Sequence, residues 1–352
     1  MDGSFATDAG SKLGRFQAAC DRILEIQAPD GAIPWFEHGP WDAWNHVESA
    51  MALCVMGQID AAARAYDYLV ENQRSDGAWF GEYGNALPMV DRDYISREKA
   101  PAVLDTNFCA YPAVGIAHYL KVTGDRARVE AWWPMVKRAL DFVTGLQRSD
   151  GTIPWSLESI GTVDDDSLLA GNASILKSLA CGIYLAKALG ADCDDWRLAQ
   201  AKLRGAIQAH PQLFDRRGQG GRFAMDWYYP VLSGALAIED AVERLETSWD
   251  TFVIQGQGCR CVSDEPWVTV AETAELVLAL LTVGDQARAE QVFNTLTSHR
   301  DEAGVFWMGW QLEEQIFWPR ERPSWTQGAV ILAADALFGV TDGADLLTSS
   351  LS

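Results

Sequence analysis

Basic residues are scarce. The chain has 28 Lys and Arg against 49 Asp and Glu, a formal charge of −21. A nucleic-acid or anionic-membrane partner needs basic patches, so both are excluded as expectations. Long apolar runs are missing too. No stretch reaches the ~18 residues of a membrane span, and the Met1-Asp-Gly-Ser-Phe5 start has neither the basic nor the apolar region of a signal peptide. Cysteine is sparse and odd in number: seven residues, four of them (Cys20, Cys54, Cys109, Cys181) inside helical apolar patterns. That pattern reads as buried reduced thiols in a cytoplasmic protein. Cys259-Arg-Cys261 is a close pair without a second pair or a nearby His, so no metal is expected. No cofactor motif stands out, and none is expected.

What the chain does have is a repeated stretch. Gln147-Arg-Ser-Asp-Gly-Thr-Ile-Pro-Trp155 shares its frame with Gln27-Ala-Pro-Asp-Gly-Ala-Ile-Pro-Trp35, and Gln73-Arg-Ser-Asp-Gly-Ala-Trp79 is a shorter copy. In each, the Gln ends an amphipathic run and Asp-Gly turns the chain, with Gly supplying positive φ. Amphipathic runs then alternate with runs that are apolar all round, as expected for helices buried on every side. The apolar runs end at Gly57, Gly124, Gly190, Gly234, Gly284 and Gly339, a ragged period of about 56 residues. Six hairpins of an amphipathic and an apolar helix give twelve helices. An open superhelix keeps a stricter period. The expectation is all-α: a single (α/α)6 toroid over residues 1–352, with 1–10 and 343–352 as loose termini. Strand signals are few; 80–83 and 306–310 are candidates for short ribbons at the rim.

In such a toroid the long Gly- and Trp-containing loops gather on one face, where the inner helices begin. Helix N-termini converge there and favour anionic groups. The first turns of the inner helices read Trp41-Asp-Ala-Trp44-Asn45-His46-Val-Glu48, Asp105-Thr-Asn107, Asp164-Asp165-Asp166 with Asn172, Asp226-Trp227-Tyr228-Tyr229, Trp267-Val-Thr269 with Glu272, and Trp325-Thr-Gln327. Carboxyls in an aromatic pocket rise towards neutral pKa and suit general acid–base chemistry. Glu272 is the foremost candidate, because a carboxylate among Val268, Val270, Ala271 and Ala274 is costly unless it faces a wet cavity. Asp226, Glu48 and Asp105 are the further catalytic candidates. Trp44, Asn45, His46, Asn107, Trp227, Tyr228, Tyr229, Trp267, Trp325 and Gln327 are candidate substrate contacts. The plainer readings are that Asp42, Asp105 and Asp166 cap helices, that Trp35, Trp79 and Trp155 brace turns, and that His46 is a core histidine.

The Gln-x-x-Asp-Gly-x-Trp text of Gln73–Trp79, with its looser copies, resembles the repeats of the terpenoid cyclase and protein prenyltransferase toroids. That resemblance implies a small isoprenoid substrate. It carries no catalytic residue across: Asp164-Asp165-Asp166 lacks the spacing of the cyclase acid motif, and Asp105, Cys109 and His118 lack the zinc spacing of the prenyltransferases. Six-hairpin glycosidases also end outer helices in Gln-x-x-Asp-Gly-x-Ile-Pro-like text. They imply a carbohydrate substrate, two carboxylates across a pocket and Trp faces for sugar rings, which the fifteen Trp here suit at least as well. A toroid that binds a ligand or partner without catalysis is the third reading.

Overall fold

The structure is a computed structural model that describes residues 13–83, 103–158, 161–218, 220–349 and 351. Among them, twelve longer helices pair into six hairpins. In chain order the helices are α1 (Gln17–Ile26), α2 (Ala43–Val55), α3 (Ile59–Asn72), the short α4 (Thr106–Ala110), α5 (Pro112–Thr123), α6 (Arg126–Gly145), α7 (Leu169–Leu189), α8 (Asp194–Ala209), α9 (Ala224–Leu232), α10 (Ile238–Thr247), the short α11 (Trp249–Phe252), α12 (Val270–Thr282), α13 (Gln286–Thr295) and α14 (Ser324–Phe338).

Burial separates two layers. In α2 every residue but Asn45 is buried, whereas α3 buries only Ala61, Ala62, Ala63, Ala65, Tyr66 and Leu69. The inner helices pack in a closed cycle, α2 on α5, α5 on α7, α7 on α9, α9 on α12, α12 on α14, and α14 back on α2. Each carries its outer partner on its far side. Three inner helices end on a left-handed glycine, Gly124, Gly190 and Gly339, at φ of 67°, 72° and 59°, the C-cap that glycine serves without a Cβ penalty. This is an α/α toroid. Helix α7 is long and apolar enough to cross a membrane, yet 72% of its apolar window is buried, as an inner helix requires.

The repeated Gln–Asp-Gly stretch is a lock between neighbouring hairpins. Gln27, Gln73 and Gln147 each donate from Nε2 to the carbonyl of their own turn glycine and to a carbonyl of the next outer helix: Ala61, Met135 and Ala199. The glycines touch that same helix. A Cβ on Gly31, Gly77 or Gly151 would lie 2.2, 2.3 or 2.5 Å from the carbonyl oxygens of Arg64, Arg138 or Lys202. Two residues beyond each glycine, an inner-helix side chain takes the backbone N–H. Ile33 donates to His46 Nδ1, Trp79 to Cys109 Sγ, and Ile153 to Asn172 Oδ1. A fourth copy, divergent in sequence, uses Gly304: Phe306 donates to Gln327 Oε1 and accepts from its Nε2.

Strand content exceeds the sequence expectation. β1 (Val103–Asp105) pairs with β2 (Ser156–Glu158), and β3 (Val253–Ile254), β4 (Gly258–Arg260), β5 (Trp267–Thr269), β6 (Gly309–Gln311) and β7 (Ile316–Phe317) form a five-stranded antiparallel sheet at the rim. The ribbon expected at 306–310 is the start of β6, while 80–83 contributes only an isolated bridge, Tyr83 to Trp41. Of the C-terminal stretch expected to be loose, residues 343–349 and 351 are described. Leu346 is fully buried, and the buried Lys177 donates to the carbonyls of Leu346 (3.2 Å) and Ser349 (2.9 Å). Residues 1–10 lie outside the described residues.

Candidate active site

The first turns of the inner helices open onto one depression with two lobes. Lobe one, about 390 Å³, lies between Asp105, Asn107, Trp155, Asn172, Asp215 and Asp226. Lobe two, about 280 Å³, lies between Asn45, Glu48, Trp267, Glu272, Glu275 and Trp325. Trp44, Phe108 and Met225 line both and form the ridge between them. A small cavity of about 30 Å³ lies below, under Glu48, Glu275, Tyr111 and Tyr229.

Lobe two holds three glutamates. Glu48 sits in α2, and its Oε1 accepts from Trp44 Nε1 (2.8 Å) and the Tyr111 hydroxyl (3.2 Å). Burial outweighs those donors, helped by the charges of Asp42 and Glu272, and pushes its carboxyl up to about 7. Glu272 stands in the first turn of α12, where the helix N-terminus favours negative charge, and accepts from the Thr269 hydroxyl. In the ring, α14 stands between α2 and α12, so Glu48 and Glu272 approach the lobe from opposite sides of α14. Glu275, one turn below Glu272, accepts from the hydroxyls of Tyr228 and Tyr229 and is held well above the usual carboxylate range by burial first and then by Glu48. The Cys261 thiol faces Glu272. Burial and that charge keep it protonated.

Lobe one is lined by aspartates. Asp105 caps α4 through the N–H groups of Asn107 and Phe108, yet burial still pushes its carboxyl up to about 7. Asp226, in the first turn of α9, also rises to about 7, through burial and then the charge of Asp215. Asp215 is itself raised by burial.

Nine of the sequence candidates meet at the two lobes: Trp44, Asn45, Glu48, Asp105, Asn107, Asp226, Trp267, Glu272 and Trp325. Tyr229 lines the small cavity beneath. Four line neither lobe nor the small cavity. His46 is buried, with Nδ1 accepting from Ile33 and Nε2 bonded to the Ala65 carbonyl (2.8 Å); burial holds its pKa down at about 4. Gln327 is the lock on Phe306. Trp227 stacks on Phe252 and donates to the Arg244 carbonyl. Tyr228 lies behind Glu275. The reason is rotation about the helix axis: successive residues point about 100° apart, so Asn45 and Thr326 face lobe two while His46 and Gln327 face the turns behind.

Sequence reasoning missed Glu275, Asp215 and Cys261. Glu275 carries a usable signal, standing three residues after Glu272 on the same face of an apolar helix. Asp215 has none; it reaches lobe one from a loop, at a positive φ of 50°. Among the described residues no cluster of three or more His, Cys, Asp or Glu is arranged to hold a metal ion.

No family model matches the chain. A curated protein does: the chain is 43% identical over 321 residues to the MMP endo-(1,4)-3-O-methyl-alpha-D-mannosidase of Mycolicibacterium hassiacum, covering 91% of this chain and 85% of that protein. The chain belongs to this mannosidase family. Solved structures with the same fold include glycosidases. One, in complex with glucose, is 14% identical with a TM-score of 0.70, over 96% of this chain and 100% of its own. Another is the GH63 mannosylglycerate hydrolase of Thermus thermophilus in complex with Tris and D-glycerate, 11% identical with a TM-score of 0.67, over 90% and 99%. Membership of the mannosidase family corrects the first-ranked resemblance. The terpenoid cyclase and prenyltransferase reading, with its isoprenoid substrate, has no support, and the six-hairpin glycosidase alternative fits.

Proposed function

We propose that the protein hydrolyses α-mannosidic bonds within a glycan, with Glu48 as general acid and Glu272 as general base. The observation that carries this is the placement of Glu48 and Glu272 in one lobe, on helices either side of α14, beside the rings of Trp44, Trp267 and Trp325. Glu48, raised to about 7, keeps a proton to give at neutral pH. It lies against Trp44 on the ridge between the lobes, so the glycosidic oxygen it protonates sits at that ridge. As the bond from the anomeric carbon to this oxygen breaks, a water held by Glu272 attacks that carbon and yields its proton to the Glu272 carboxylate. The tryptophan rings offer apolar faces to the sugar. The family relative, an endo-(1,4)-3-O-methyl-α-D-mannosidase, makes α-(1,4)-linked, partly O-methylated mannose chains the first substrates to try.

The test is hydrolysis of α-(1,4)-mannooligosaccharides by the purified protein, with the first-formed anomer read by NMR. One-step attack by water delivers the β anomer. Glu48→Gln and Glu272→Gln are each expected to lose roughly 10³-fold or more of kcat. The acid must be protonated, so activity is expected to fall as pH rises through about 7. Hydrolysis at the wild-type rate by either variant would remove that residue from the mechanism.

A further inference from the structure

A toroid has two ends, and the two lobes occupy one of them. At the other end, where the inner helices finish, the chain runs on past Gly339 and residues 341–349 pack against the ring. Asp335, on α14, sets their direction: its Oδ1 accepts from the Thr341 N–H (2.8 Å) and its Oδ2 from the Thr341 hydroxyl (2.6 Å). Lys121, in the last turn of α5, pairs with Asp345. Lys177, on α7, donates to the carbonyls of Leu346 and Ser349. Gly343 lies so close to α5 that a Cβ on it would stand 2.7 Å from Val122 Cγ2 and 2.9 Å from the His118 ring. The segment is thereby tied to three inner helices.

These ties bring Leu347 to the axis of the ring. The small cavity under the site takes a residue from every inner helix or its cap, Glu48, Tyr111, Ser174, Tyr229, Glu275 and Leu332 among them. Leu347 is the only residue described as lining it that comes from outside those helices and caps. At about 30 Å³ the cavity has room for about one or two waters, not for bulk solvent. We propose that residues 341–349 form a floor plate, with Leu347 at its centre, which closes the far end of the ring beneath Glu48 and Glu275 and keeps water off the underside of the acid. The proposal rests on the reading of Glu48 as the acid. The plate is a positioning element, since it touches neither the substrate nor the reacting atoms and acts through the surroundings of Glu48.

Burial is the largest cause of the raised carboxyls of both Glu48 and Glu275, so hydration from below lowers their hold on a proton. The titratable groups around Glu48 are Asp42 on its own helix, Tyr111, Lys177 of α7, Tyr229 of α9, and Glu272 and Glu275 of α12, with the Cys261 thiol across lobe two. Neither α14 nor the plate presents a titratable side chain among the residues described as lining lobe two or the cavity. Trimming Leu347 therefore changes solvent access and leaves every charge in place.

The test uses the full chain in four forms: wild type, Leu347→Ala, Gly343→Ala, whose added Cβ pushes the segment off α5, and Leu347→Met, which keeps the floor filled. The Glu48 carboxyl is titrated by NMR with carboxyl-13C glutamate, its signal assigned by its loss in Glu48→Gln, and pH–kcat profiles are recorded on α-(1,4)-mannooligosaccharides. The Glu48 midpoint is expected to fall by about half a pH unit or more in Leu347→Ala and Gly343→Ala and to stay put in Leu347→Met. The alkaline limb of kcat is expected to follow, with kcat at pH 5.5 kept within roughly twofold. An unmoved midpoint in either folded Ala variant, or a loss of kcat equal at every pH, would give the segment a purely structural role and overturn the proposal. A wild type that cleaves no mannooligosaccharide would instead overturn the mannosidase reading, and the NMR midpoints would still decide whether the plate keeps Glu48 dry.

Discussion

Trp44 connects the chemistry to the shape of the site. Its ring forms the ridge between the lobes and its indole N–H is donated to Glu48 Oε1. A hydrogen bond to a carboxylate favours the ionised form, so this contact lowers a pKa that burial has raised. Trp44→Phe keeps an aromatic ridge and removes the donor. The alkaline limb of the pH–kcat profile is then expected to move upward by up to about one unit. A limb that stays in place would mean that Glu48 is not the group titrating there. At this scale the sequence was only half legible. It marked the polar first turns of the inner helices. It did not separate Asn45 from His46, or Thr326 from Gln327, because neighbours on a helix differ by rotation and no pattern in the text states which way the ring interior lies.

Among the elements, the Gln–Asp-Gly stretch proved to be a joint rather than a site. Its Gln reaches the next outer helix, its Gly admits that helix, and an inner-helix acceptor takes the N–H two residues on. Gly151 has a φ of 91° and its absent Cβ would lie 2.5 Å from the Lys202 carbonyl oxygen. Gly151→Ala therefore combines left-handed strain with a backbone clash. It is expected to destabilise the protein by about 2–4 kcal/mol, read as a lower urea midpoint at unchanged slope. An unchanged midpoint would mean that the joint relaxes freely. The hairpins themselves were legible, since glycines ended the apolar runs and three of those glycines are left-handed caps. The five-stranded rim sheet was not. Its strands are two or three residues long, too short for an alternating pattern to register.

For the molecule as a whole, burial of carboxyls sets the response to pH. Glu48, Asp105 and Asp226 are raised to about 7, Asp42 to about 6, and burial holds Glu275 well above the usual carboxylate range. Each holds its proton in the folded chain at pH values where the unfolded chain has lost it, so stability is lost as pH rises from about 4.5 through 7. The buried His46 and His118, lowered to about 4 and about 3, act in the opposite direction below about 6.5. Burial also raises Asp215 and Asp335 and lowers His299, so seven carboxyls stand against three imidazoles and dominate. The urea midpoint at constant ionic strength is expected to be higher at pH 5.5 than at pH 8. Glu48→Gln is expected to shrink that difference, by at most about 2 kcal/mol. Equal stability at the two pH values would show that these groups ionise inside the fold without penalty.

The closure of α14 onto α2 has one more implication. Ser324, at the start of α14, bonds through its N–H and hydroxyl to the carbonyls of Trp35 and Pro34, some 290 residues earlier in the chain. The inner ring thus has a cyclic order but no first member, and both lobes depend only on that order. Circular permutation would respect it. The Gly284–Asp285 turn lies at the C-terminal end of α12, on the face away from the lobes. A chain opened there would present Glu272 near its end and Glu48 in its first half, and the two carboxyls would still meet beside the same tryptophans.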